Sequence, residues 1–301
     1  VIINTKVQLT YDAIKLLMQS GIPIVYASGT QPIAVCHPFA HHGTVLTRRE
    51  QILAYLDERG LKLAKAFVRS AIENKARLLL RLAKVRAARD PTLANTIRET
   101  VKEIRLNIPA ADALEGSLDE IRWQIMGYEG EATRLYFKTI SKILPSSLGF
   151  TARVRRPPRD PVNTALSYGY AILHNNILIS IAAAGLEPFA GFLHSDRSGK
   201  PSLALDLMEE FRQAVVDRTV IRLFTQKSLT SSGFKEEGGR VLFEVAAKKK
   251  FLNELFKTIN QGMTIDGKQY PFRQLMMKQA RLLVRFLIRK DPEYKPFLIP
   301  W

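Results

Sequence analysis

The apolar pattern divides the chain in two. Through residue 46 its elements are short. Residues 1–3 read as a strand, and Thr10 as the N-cap of a helix carrying Ile14, Leu17 and Met18 that closes at Gly21. Residues 22–27 are mostly β-branched, 28–32 form a turn, and 33–36 make a further strand. From residue 47 the period becomes helical. One helix is expected over 47–58, with Gly60 as punctuation, and a long one over 61–88 with Leu63, Phe67, Ala71 and Leu78 on one face. Ile108-Pro109 is expected to close that block. Ser117 followed by Glu120 is a capping box, and Gly127 and Gly130 are expected to break or bend the helix it starts, leaving Glu129 near the head of a segment to about residue 144. A basic, Pro-rich loop over 153–161 ends in Asp160-Pro161, an N-cap and first-turn proline for an apolar helix over 162–184 stopped by Gly185. A helix over 202–224, a hairpin over 234–243 and helices over 245–259 and 271–289 complete the chain.

This pattern predicts an α+β chain, predominantly α. Residues 1–46 are expected to be the end of an N-terminal β-rich domain, truncated because the chain opens in mid-sheet, and residues 47–301 a large α-helical catalytic domain. No internal repeat or low-complexity tract is visible.

Composition narrows the partners. Hydrophobic residues make up 46% of 301, as in an ordinary globular protein. No apolar run approaches the roughly 18–20 residues that cross a bilayer, and no basic leader precedes an apolar one. The single Cys36 excludes an internal disulfide and suits a reducing cytoplasm. The formal net charge of +17 needs a polyanion to explain it, and nucleic acid is the usual one, against the plainer reading of a merely basic soluble protein. Between Arg48 and Arg105 lie 15 Lys and Arg against seven acids, an excess sufficient for a phosphate track.

The candidate chemistry sits in three phrases: Met126-Gly127-Tyr128-Glu129-Gly130, Gly191-Phe192-Leu193-His194, and residues 202–212 with Asp206, Glu209 and Glu210. Carboxylates with one imidazole suit a hard or borderline divalent ion that keeps positions open for water and a phosphate oxygen. Asp206 shares a helix face with Glu209 at three residues and with Glu210 at four, so spacing does not choose between the two glutamates. Glu131 lies two residues from Glu129, on a different face. Cys36-His37 with His41-His42 matches no standard zinc spacing. Tyr136, Phe137, Tyr168 and Tyr170 suit either the core or base stacking. No Gly-rich phosphate loop with a following Lys is present.

Taken in order, these phrases resemble the CRISPR-associated endonuclease and integrase of spacer acquisition. They are joined by Arg156-Pro157-Pro158-Arg159-Asp160-Pro161-Val162-Asn163, Leu166-Ser167-Tyr168-Gly169-Tyr170 and Gly185-Leu186-Glu187-Pro188, and together cover roughly residues 117–218. The resemblance implies a DNA endonuclease and integrase that inserts short foreign fragments into CRISPR arrays by phosphodiester transesterification. It implies Mg²⁺ or Mn²⁺ held by Glu129, His194 and Glu209, with Asp206 as the other acid of its motif, orienting ligands. It also implies a homodimer that binds double-stranded or branched DNA and works with a small ferredoxin-like adaptation protein. Arg155, Arg156 and Arg159 are the expected DNA contacts nearest the site. Two further readings are a DNA-binding scaffold without catalysis and a transposon-encoded integrase of the same family.

Overall fold

The structure, a computed structural model, describes residues 1–3, 5–28, 31–36, 38 and 44–300. The histidines of the zinc reading, His37, His41 and His42, lie outside the described residues. A three-stranded sheet opens the chain: β1 (Ile2–Ile3) runs parallel to β2 (Ile24–Ser28), which pairs antiparallel with β3 (Gln31–Cys36), Val25 opposite Val35. Between β1 and β2 lies α1 (Tyr11–Gln19), whose N-cap Thr10 accepts a hydrogen bond from the Ala13 N–H.

Helices α2 (Thr44–Ala54), α3 (Glu58–Arg86), α4 (Pro91–Asp112) and α5 (Leu118–Ile143) form the first helical layer, with α3 packed on both α4 and α5. The expected stripe of α3 (Leu63, Phe67, Ala71 and Leu78) is buried. Gly60 does not punctuate. Asp57 caps α3 by accepting from the Arg59 N–H, and Gly60 sits in the first turn, where a Cβ would meet the Ala54 carbonyl oxygen at 2.7 Å. Helix α4 starts on an Asp90 cap with Pro91 at its head, and Pro109 does not end it. In the last turn a proline forfeits a single backbone bond, which the helix tolerates.

The capping box at the head of α5 forms, Ser117 N–H donating to Glu120 Oε2 at 2.8 Å. The expected break at Gly127 and Gly130 does not. The helix is continuous because Ile121, Ile125, Ala132, Tyr136 and Ile140 hold one buried face across both glycines, which border open space. Glu129 therefore stands mid-helix.

The second layer is built on α6 (Pro161–Ala183), capped by Asp160 and buried on most sides, as a helix with little polar face must be. Against it pack α7 (Ser202–Met208) and α10 (Phe272–Leu287). The single helix expected over 202–224 is in fact α7, a turn, a π-helical segment Arg212–Asp217 and α8 (Arg218–Thr225). A π turn takes in more residues than an α turn and so resets which side chains share a face. Hairpin β4–β5 (Phe234–Glu237, Arg240–Phe243) turns through Gly238 and Gly239, both at positive φ. After α9 (Val245–Gln261) comes a second hairpin, β6–β7 (Met263–Ile265, Lys268–Tyr270), which apolar periodicity over three-residue strands does not reveal.

Candidate active site

The three phrases meet at one pocket of about 260 Å³. Helix α5 contributes the stripe Trp123, Met126, Glu129, Thr133 and Phe137, spaced three or four apart as one helix face requires. Lys75 comes from α3, Tyr170 from α6, His194 from the loop before α7, and Glu209, Arg212 and Gln213 from the turn and π-helical segment after it. A larger cavity of about 580 Å³ lies between α10 and the C-terminal tail, but it contains none of the motif residues.

The loop bearing His194 is held at both ends. Gln51 of α2 donates to the carbonyls of Glu187 and Ala190 and accepts from the Glu187 N–H, each at 2.8 Å. Gly191 lies so close to Ser202 that a Cβ there would meet the Ser202 Cβ at 2.6 Å, which lets the loop rest on the head of α7. Asp206, fully buried on α7, then receives the backbone N–H groups of Phe192 and Leu193 on Oδ2 and that of His194 on Oδ1. Oδ1 also lies 2.7 Å from His194 Nδ1. A carboxylate fed by three backbone donors is an acceptor, so Nδ1 carries the proton and Nε2 is the nitrogen left for a cation.

Each glutamate of the pocket faces an internal cation. Glu129 Oε1 accepts from Lys75 Nζ at 2.7 Å and Thr133 Oγ1 at 2.6 Å. Burial alone would raise the Glu129 pKa, but the Lys75 charge and these hydrogen bonds bring it down to about 2. Glu209 Oε1 lies 3.0 Å from Arg212 Nε. Glu210 turns the other way and is fully buried, accepting from Gln279 Nε2, Tyr294 Oη and the Phe297 N–H. The choice that spacing leaves open is thus resolved in position: Glu209 lines the pocket, while Glu210 anchors the C-terminal tail. Glu131 pairs with Arg134 at the surface.

Beneath Tyr170 lies a buried network. Tyr136 and Tyr170 both donate their hydroxyls to Asp217, which burial pushes up to about 6. Arg212 and Arg153 stack on Tyr170, 4.7 and 5.5 Å from its ring centroid. Burial, with the nearby Arg212 charge, pushes His174 down to about 4.

The basic loop before α6 is pinned by Asn163, which accepts from Arg153 and the Val154 N–H and donates to the Ala152 carbonyl and Asp160. Arg155 lines the pocket; Arg156 and Arg159 are exposed and do not. Lys75, Trp123, Arg197 and Lys200 also line the pocket, and no motif or spacing in the sequence marks them. No spacing pattern links Lys75 on α3 to α5, so only the fold reveals that pair.

Two carboxylates and an imidazole with Nε2 uncommitted have the donor chemistry of a divalent site, and Gln213 Oε1, buried without a hydrogen-bond partner among the described residues, adds an oxygen. Lys75 and Arg212 meet their glutamates at Oε1, at 2.7 and 3.0 Å. Among the described residues, no three His, Cys, Asp or Glu are already assembled as a cage for an ion. The residues fit such an ion in kind, with the carboxylates held by protein cations.

A mostly helical domain carrying these motifs around a basic pocket defines a DNA endonuclease and integrase. The chain belongs to the CRISPR associated protein Cas1 family, whose model matches residues 1–257. It is 34% identical over 310 residues to CRISPR-associated endonuclease Cas1 1 of Archaeoglobus fulgidus, covering 100% of this chain and 89% of that one. To CRISPR-associated endonuclease Cas1 1 of Thermus thermophilus it is 33% identical over 297 residues, covering 97% and 85%. Among solved structures it is similar to a casposase bound to integration product, with a TM-score of 0.77 and 26% identity, over 96% of this chain and 78% of that one.

Proposed function

We propose that the chain performs phosphodiester transesterification on DNA, inserting short fragments into CRISPR arrays, with Mg²⁺ or Mn²⁺ held by Glu129, His194 and Glu209. The observation that supports this most is that these three residues, from α5, the loop before α7 and the turn after it, line one pocket together with Lys75, Arg153, Arg155, Arg197, Lys200 and Arg212. An ion bound there supplies polarisation of a phosphate oxygen and offsets charge as the transition state forms. The protein's own groups do the rest. Asp206 fixes the His194 tautomer, and Lys75 keeps Glu129 ionised, the form able to ligate. Arg155, Arg197 and Lys200 bind phosphates flanking the one attacked. A 3′-hydroxyl or a water attacks in line, and the opposite bridging oxygen departs.

The helical domain over 47–301 carries the chemistry, and the segment over 1–46 belongs to a β-rich domain through which two copies pair. A complex with the small ferredoxin-like adaptation protein, in the cytoplasm, completes the machine. Glu129→Ala, His194→Ala and Glu209→Ala are expected to abolish strand transfer on a branched duplex in Mn²⁺, down to the level of a chelator control. DNA binding should persist because the basic surface is untouched. Equal loss of binding and chemistry in all three overturns the assignment, as does full activity in all three, and DNA binding by the unaltered protein without any metal-dependent cleavage or strand transfer leaves a binding scaffold. Likeness to the casposase also supports a transposon-encoded integrase with the same chemistry, which preference for a CRISPR repeat over unrelated target DNA excludes.

A further inference from the structure

Trp123 is 62% exposed, and among the described aromatic residues only Tyr11 is more so. A large indole left in water is unfavourable, so its position asks for a partner. It stands at the head of the α5 stripe that continues through Met126 and Glu129, and it lines the same pocket as the cations. The exposed Arg155 and Arg197 and the half-buried Lys200 surround that pocket. A strand drawn in by those cations brings bases alongside the indole. Glu129 lies six helical steps beyond Trp123, about 9 Å along the axis at about 1.5 Å per residue. Stacked bases repeat at about 3.4 Å, so the indole stands roughly two to three bases from a phosphate at Glu129.

We infer that Trp123 is a stacking platform for an unpaired base of the strand entering the pocket, and hence a residue that selects DNA frayed or single-stranded beside the reacting phosphate. A base inside a duplex keeps its faces against its neighbours, so only an unstacked base can meet the indole. The inference rests on the DNA-processing reading above. A protein partner is the weaker alternative, because the pocket that the ring helps to line carries six Lys and Arg side chains, which suit a polyanion.

The chain has two tryptophans, so a Trp301→Phe background leaves Trp123 as the sole reporter. In chelator, an oligonucleotide duplex with a 3′ overhang should quench its emission, and a blunt duplex of the same sequence should not. By labelled-DNA anisotropy, Trp123→Ala should weaken overhang binding roughly five- to hundred-fold with blunt-duplex binding kept, and Trp123→Phe should recover most of the loss. Absence of quenching by the overhang, or equal loss on both DNAs, overturns the inference. So does emission that shifts with protein concentration alone, because a second copy then covers the ring. Glu129→Ala in the same background separates the two readings. Retained quenching with abolished strand transfer supports both, whereas strand transfer by a protein whose emission never responds to the overhang defeats only the stacking role.

Discussion

His194 Nδ1 and Asp206 Oδ1 meet at 2.7 Å, and the same carboxylate gathers the backbone N–H groups of Phe192, Leu193 and His194. One fully buried side chain thus fixes both the loop that carries the imidazole and the imidazole's protonation pattern. Fold and chemistry are coupled at that atom pair, and substitutions there should affect each in a separable way.

Asp206→Asn preserves volume but offers one acceptor oxygen where two are needed. If the amide oxygen serves Phe192 and Leu193, its NH₂ faces the His194 N–H and can be accommodated by the ring only if Nδ1 becomes an acceptor. The proton then moves to Nε2, which can no longer ligate. The expected result is about 10- to 100-fold weaker Mn²⁺ binding, read by electron paramagnetic resonance titration. Asp206→Ala should also cost about 3–5 kcal/mol in urea unfolding by orphaning buried donors. Unchanged Mn²⁺ affinity in Asp206→Asn would remove His194 from the ligand set.

Lys75 is almost wholly buried, its side chain 3% exposed, and Glu129 is its ion-pair partner. Lys75→Met strands the carboxylate and should destabilise by about 2–3 kcal/mol, at the lower end for a buried pair because Glu129 keeps 25% of its side chain in solvent. Lys75→Met/Glu129→Gln should recover most of that loss. Urea melts of the two single variants and the double close the cycle, and strict additivity would contradict the pairing.

Much of this was legible in advance because local chemistry agreed with the final fold. The Thr10 and Asp160 caps, the Ser117 capping box, the α3 stripe and the 234–243 hairpin are all as read. The failures occur where tertiary packing overrides a local signal. Gly60 is small because Ala54 is near, and Gly127 and Gly130 interrupt nothing because the buried face of α5 carries the helix past them. The π-helical segment was invisible because its sequence, residues 212–217, continues the apolar pattern of α7. Motif order singles out Glu129, His194 and Glu209, which line one pocket, whereas Lys75 and Trp123 line it and carry no motif.

Asp217 gives stability a pH dependence of known sign. Burial raises its folded-state pKa to about 6, above the unfolded value near 3.8, so the folded state binds the proton more tightly. This contribution is fully present below about pH 4 and is lost as pH rises through about 6, amounting to about 3 kcal/mol. Asp217→Asn cannot titrate. The stability difference between wild type and Asp217→Asn should therefore shrink by about that amount between pH 4 and pH 7.5 in paired urea melts, with shared titrations cancelling. A difference that grows with pH would mean that the Arg212 charge outweighs burial.

Glu210 holds the C-terminal tail. It accepts from Tyr294 Oη at 2.5 Å on Oε1, and from Gln279 Nε2 at 2.8 Å and the Phe297 N–H at 2.7 Å on Oε2. Asn74 closes the arrangement by donating to the carbonyls of Glu210 and Phe297 and accepting from the Ile299 N–H. A glutamine keeps most of this geometry, its oxygen receiving Gln279 and Phe297 and its NH₂ donating to the Tyr294 oxygen, while the Tyr294 hydroxyl proton loses its acceptor. Glu210→Gln should consequently cost no more than about 1–2 kcal/mol, because one hydrogen bond reverses direction and the buried site tolerates a neutral group. Tyr294→Phe removes a donor from the buried carboxyl and should cost about 1–3 kcal/mol, while Glu210→Ala orphans three donors and should cost more. Urea unfolding reads the order, and limited proteolysis reads its origin, since the tail should be clipped first in Glu210→Ala. Glu210→Gln as damaging as Glu210→Ala would show that the negative charge, rather than the hydrogen bonds, fastens the tail.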